Sequence, residues 1–132
     1  MRVGGAVTGE IGGGLVVLLG VERGDSPAEA DRLARKVARL RIFEGDTGKF
    51  DRSLLDVWGA ALVVSQFTLI ADTTRGNRPS FTRAAPPEDA NPLYERFCEA
   101  LAADGPAVER GIFGARMALE LVNDGPVTIV LD

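Results

Sequence analysis

The chain has 132 residues, 45% of them hydrophobic and 26% charged, with 15 Lys and Arg against 19 Asp and Glu for a net charge of −4. That length suits one domain with a single core, and an acidic balance is not the footprint of a duplex-binding protein. There is no histidine and one cysteine, Cys98, which excludes an intrachain disulfide and every His-based catalytic triad and leaves few ligands for a transition metal.

Val3–Ile11 reads as a weak edge hairpin arm and Gly12–Gly14 as a turn. Leu15–Val21 is a continuous, partly β-branched apolar run and predicts a buried strand. Ser26-Pro27-Ala28-Glu29 predicts a helix start, with Ser26 as N-cap, Pro27 at the first helical position and Glu29 closing a capping box. Ala30, Leu33, Ala34, Val37 and Leu40 then recur at helical spacing. The arginines and lysine between them read as a solvated face or, alternatively, as a backbone-binding one. Gly45–Lys49 is a polar loop. Ala60–Gln66 predicts a second buried strand, which Phe67–Ala71 either continues or bends away from. Asp72–Pro87 lacks periodicity and, at about 16 residues, is long for a plain connector. Pro92–Ala103 predicts a second helix capped by Asn91, with Leu93, Phe97, Ala100 and Leu101 on its core side. Cys98 lies in that helix and reads as a small core residue. Val108–Phe113, Met117–Val122 and Val127–Leu131 complete the strands. The expected class is α+β: a compact, barrel-like mixed β-sheet with two helices. No apolar run approaches the roughly 20 residues of a membrane span, and no secretory leader is evident, so the expected location is cytoplasmic.

Three segments could carry chemistry. Ser65-Gln66-Phe67-Thr68 places polar side chains at the end of an apolar strand, where each needs a partner or costs about 1–3 kcal/mol. The segment reads either as a strand end emerging into solvent or as the polar floor of a pocket. Thr68 would then be a nucleophile or would orient one, with no imidazole available as its base. Arg75, Arg78 and Arg83 lie within one loop and fit either surface ion pairs or a bidentate grip on phosphate or carboxylate. Gly125-Pro126 follows Asn123-Asp124 and on pattern alone is a turn; the sequence does not select a cis or trans bond.

Together, Ser65-Gln66-Phe67-Thr68 and the Asn-x-Gly-Pro-x-Thr pattern at Asn123, Gly125, Pro126 and Thr128 resemble the paired motifs of the D-aminoacyl-tRNA deacylases, the D-Tyr-tRNA deacylase family. Leu40-Arg41-Ile42-Phe43, Asn77-Arg78-Pro79-Ser80-Phe81 and Phe113-Gly114-Ala115 are similar as well, so the resemblance runs from about Gly9 to the C-terminus. It implies a homodimer with its active site at the subunit interface. Ser65, Gln66, Phe67 and Thr68 would be the catalytic segment. Gly125 and Pro126, joined by a cis bond and supported by Asn123 and Thr128, would enter the partner's site as a filter for chirality. Arg75, Arg78 and Arg83 become possible tRNA contacts. The substrate would be the 3′ end of an aminoacyl-tRNA, hydrolysed by water at its ester bond with no metal or organic cofactor; either Thr68 attacks directly or the RNA's own 2′-hydroxyl assists the water, and the lack of a protein base favours the RNA. Family members begin with a further N-terminal strand before the segment resembling Val3–Gly13, and the expectation is that this chain is about ten residues short there, through a mis-assigned start or a real truncation; a real one would leave a sheet edge open or alter the dimer.

The implied selectivity has a physical rationale. At a chiral carbon, the D and L forms exchange hydrogen and side chain, so a rigid wall can reject every L residue. A 10⁴-fold discrimination needs roughly 5.5 kcal/mol, more than the 1–3 kcal/mol typical of one methylene contact. Exclusion is therefore the plausible source, and glycyl-tRNA, mischarged on the alanine tRNA, should also be cleaved. Three alternatives stand beside this reading: a sister deacylase with a trans Gly-Pro acting on mischarged L-alanyl-tRNA, a non-catalytic tRNA- or protein-binding dimer, and a generic small-ester hydrolase.

Overall fold

The computed structural model describes residues 1–132. In chain order the elements are β1 (Arg2–Val3), β2 (Ala6–Val7), β3 (Gly14–Leu19), α1 (Pro27–Arg39), β4 (Phe43–Glu44), β5 (Phe50–Arg52), β6 (Ala60–Ser65), a 3₁₀ turn (Phe67–Ile70), α2 (Pro87–Ala103) and β7 (Val108–Arg110). The chain is α+β.

The organising strand is β6. It lies between β3 and β7 in a three-stranded parallel sheet, with Gly14 opposite Ala60 and Leu19 opposite Ser65. Parallel neighbours require crossovers, and α1 and α2 supply them. Both helices cover one face of the sheet. Ala61 and Val63 point into that layer, where they meet Ala34, Val37, Ala38, Tyr94, Phe97 and Leu101. The alternate residues Leu62 and Val64 point the other way and bury Met1, with Ile11, Met117 and Leu119 packed around them. Burial on both faces explains why this strand is apolar at successive positions rather than alternating. Gly14, at φ +151°, begins β3 where a Cβ would strike the Ala60 carbonyl.

Local chemistry explains the helices. Ser26 caps α1, and its backbone N–H donates to Glu29 Oε2 at 2.6 Å. The helices are tied on their outer sides by a bidentate pair, Arg96 Nε and Nη2 to the two oxygens of Asp31, each 2.8 Å, and by Arg39 to Asp104 at 2.8 Å. On the inner side, the Tyr94 hydroxyl donates to the Val63 carbonyl at 2.8 Å. Cys98 is buried beside it, as a small core residue.

Several expectations need correction. No barrel closes: the sheet has three strands, and β1–β2 and β4–β5 are separate antiparallel pairs. α2 starts at Pro87 after Pro86, not at Pro92 after Asn91, and Pro92 lies inside it. Burying Ala90 on the core face requires the turn before Pro92 to be helical, and Pro87 suits the first position equally well. Met117–Val122 and Val127–Leu131 are not strands; the former contributes only a single bridge, Ala118 to Arg2. From Leu119 to Asp132 no residue makes a backbone–backbone hydrogen bond, although Val122 and Val130 are apolar and 91% and 88% exposed. Alternating apolar residues favour extended backbone, but a strand also needs a neighbour, and none lies alongside. The expected hairpin arm over Val3–Ile11 is instead a complete short hairpin, β1–β2, with Arg2 opposite Val7 and Val3 opposite Ala6. No helix is long and apolar enough to cross a membrane.

Candidate active site

Ser65 is the last residue of β6, and Gln66 leaves the sheet with its backbone N–H donating to the Leu19 carbonyl at 2.8 Å. The chain then bends rather than continuing as a strand: Phe67–Ile70 is a 3₁₀ turn, in which the Leu69 N–H returns to the Gln66 carbonyl at 3.2 Å. As at any helix start, the first N–H groups, those of Phe67 and Thr68, find no acceptor in the chain. The Gln66 N–H is committed to Leu19, so the free donors are those of Phe67 and Thr68. The Gln66 side chain donates from Nε2 to Thr68 Oγ1 at 2.7 Å. The two side chains thus meet across the turn, and the Thr68 hydroxyl keeps its own proton to give elsewhere.

Ser65 and Phe67 open onto a cleft of about 510 Å³ whose walls include Val21, Phe81, Phe113 and Met117. Its lining comes from just beyond the carboxyl ends of β3, β6 and β7 and from the approach to α2, the crevice where open parallel sheets bind ligands. Phe67 and Phe81 pack edge to face, with ring centroids 5.0 Å apart and planes at 74°. Sequence reasoning named Phe67 and Ser65 here but not Arg23, Phe81 or Phe113 as walls. The available signal was positional, because each of these follows a strand end or precedes a helix.

The intervening loop is closed by reciprocal backbone bonds between Asp72 and Ser80, at 2.8 and 2.9 Å. The Asp72 carboxylate accepts from the Thr74 hydroxyl at 2.6 Å and its N–H at 3.0 Å. These donors hold Asp72 below the usual carboxylate range, with Arg83 adding a smaller effect in the same direction. Arg75 and Arg78 are exposed and form no salt bridge, while Arg83 approaches Glu22 at 3.5 Å.

The Gly125–Pro126 peptide bond is cis. Asn123 braces this loop from both of its amide atoms: Oδ1 accepts the Val127 N–H at 2.9 Å, and Nδ2 donates to Thr128 Oγ1 at 3.0 Å. The loop is exposed at Gly125 and Pro126, and no hydrogen bond joins it to Ser65–Thr68 of its own chain. Neither buried titratable group is a ready nucleophile. Burial pushes the Cys98 thiol and the Tyr94 hydroxyl up, away from their charged forms. No three His, Cys, Asp or Glu side chains gather at any point.

A small α+β domain with free backbone donors and a polar turn at the mouth of an apolar cleft has the equipment of a hydrolase. The model of the D-Tyr-tRNA(Tyr) deacylase family matches residues 1–132, and the chain belongs to that family. Among its relatives is a D-aminoacyl-tRNA deacylase of Roseiflexus castenholzii, 63% identical over all of this chain and 84% of its own. Another is that of Ruegeria pomeroyi, 58% identical over all of this chain and 91% of its own. A solved structure described as a c-Myc DNA unwinding element binding protein superposes with a TM-score of 0.93 at 41% identity, covering 99% of this chain and 89% of that one. A probable eukaryotic D-amino acid tRNA deacylase shares the fold, with a TM-score of 0.66 at 18% identity over 80% of this chain and 77% of its own.

Proposed function

We propose that the chain hydrolyses the ester of D-aminoacyl-tRNA, and of glycyl-tRNA, releasing the free amino acid and tRNA. The observation that carries this reading is the pairing of a Gln66–Thr68 hydrogen bond with unengaged Phe67 and Thr68 N–H groups, in the turn whose Phe67 lines the cleft. Two adjacent backbone N–H groups without acceptors suit an ester carbonyl oxygen as it gains charge, and such a donor is worth about 3–4 kcal/mol in known sites. The apolar, aromatic cleft suits a flat base, here the terminal adenine. The chain offers no imidazole, so the terminal ribose's 2′-hydroxyl is the group that assists the attacking water. Thr68 donates its proton and orients, rather than attacks.

The chirality filter in this reading is Gly125-Pro126 from a second protomer. Three features support a homodimer: the loop is braced by its own side chains, it projects outward, and it is flanked by apolar, backbone-unpaired segments. Arg75, Arg78 and Arg83 supply a few phosphate contacts, in keeping with a chain of net charge −4.

The test is release from D-tyrosyl-, L-tyrosyl- and glycyl-tRNA at nanomolar enzyme. Fast release of D-tyrosine and glycine with L-tyrosine slower by about 10²-fold or more, a difference of about 2.7 kcal/mol, is the expected result. Equal rates for the two tyrosine enantiomers would overturn it.

A further inference from the structure

We propose that Arg23 is a binding residue of the cleft that grips the 5′-phosphate of the substrate's terminal nucleotide; this rests on the deacylase reading above. Arg23 is the single charged residue in the cleft's lining. It follows Val21 just beyond the carboxyl end of β3, on the same rim as Ser65.

Its placement is fixed at two points. The backbone N–H donates to the Arg83 carbonyl at 2.9 Å, and the side-chain Nε donates to the Thr82 carbonyl at 2.8 Å. Thr82 adjoins Phe81, whose ring lines the cleft, so the guanidinium is anchored to the cleft wall rather than free in solvent. Anchoring through Nε leaves both terminal nitrogens, with four N–H donors, unengaged. No carboxylate forms a salt bridge with them. The adjacent acid, Glu22, faces Arg83 instead at 3.5 Å. A planar, oriented, unpaired guanidinium matches two oxygens of a phosphate. With the base in the apolar cleft and the 3′ ester at the Phe67–Thr68 donors, the nucleotide's remaining anionic group has to leave at the rim. Arg23 is the lining cation able to meet it there.

The bland alternative is a structural clip joining the segment after β3 to the segment after Phe81. Three substrates separate the two: D-tyrosyl-tRNA, the 3′-D-tyrosyl ester of AMP, which keeps the phosphate, and the 3′-D-tyrosyl ester of adenosine, which lacks it. For Arg23→Ala the expected result is a KM raised about tenfold on the first two, with kcat changed by less than about twofold and no KM shift on the adenosine ester. Arg23→Lys should recover part of the loss, as a point charge replacing a bidentate one. Equal losses on the AMP and adenosine esters would mark a clip and overturn the assignment, as would no loss on any substrate. A wild-type enzyme inert toward all three would instead overturn the deacylase reading, and this assignment with it.

Discussion

The Tyr94 hydroxyl donates to the Val63 carbonyl across 2.8 Å, joining the middle of α2 to the central strand four residues before the 3₁₀ turn begins at Phe67. Tyr94 is only 2% exposed and Val63 0%, so water cannot replace the bond. Tyr94→Phe keeps the ring and removes the donor, leaving a buried carbonyl short of a partner. The expected cost is about 1–3 kcal/mol, read as a lower urea midpoint with an unchanged slope.

Thr68→Val should separate catalysis from folding. Thr68 is exposed and bonds only Gln66, so stability should stay within about 0.5 kcal/mol of wild type. Loss of one hydroxyl acting in the transition state should lower kcat by about 10–100-fold, or about 1.4–2.7 kcal/mol. Parallel measurement of Tm and single-turnover release from D-tyrosyl-tRNA checks both halves.

Asn123→Ala should loosen the Gly125–Pro126 loop without touching the core, because both of its bonds lie within residues 123–128. Discrimination between D- and L-tyrosyl-tRNA should fall by about tenfold, equivalent to about 1.4 kcal/mol, mainly through faster release of the L form. A large fall in Tm with discrimination intact would count against this role.

Three surface carboxylates predict acid lability. Asp31, Asp104 and Asp72 sit below their ordinary value of 3.8, held there chiefly by hydrogen bonds from Arg96, Arg39 and the Thr74 hydroxyl respectively. Because the folded value is below the unfolded one, their stabilisation is present above pH 3.8 and fades as pH falls through the folded value. Tm should therefore decline below about pH 4, with a shallower decline in Asp31→Asn. All three are only partly covered and lie at the surface, so the effect should be small and salt-sensitive.

Much of this was legible in the sequence where the signal is local. The Ser26–Glu29 capping pair and the apolar runs of β3 and β6 follow from neighbouring residues, whereas whether Phe67–Ala71 continues β6 or bends away stays open at that level. The start of α2 was not legible, since Pro86, Pro87 and Pro92 each mark a plausible beginning and only the burial of Ala90 decides between them. The extended segments after Met117 have strand composition, yet pairing is a tertiary matter and composition does not reveal it. The barrel expectation failed for the same reason. The site divides similarly. Gln66 and Thr68 are two residues apart and were readable together, whereas the cleft gathers Arg23, Phe67, Phe81 and Phe113 from four separate stretches.

The unpaired backbone from Leu119 to Asp132 has a consequence for exchange with solvent. Apart from Val127, whose N–H is held by Asn123, the amides of this stretch have no acceptor in the protomer. In deuterated water they should exchange within the dead time of a manual experiment, while those of β6 persist for as long as the molecule stays folded. Slow exchange there at high protein concentration, turning fast on dilution, would show a second chain supplying the missing acceptors. These amides are thus a built-in gauge of self-association that needs neither label nor substrate.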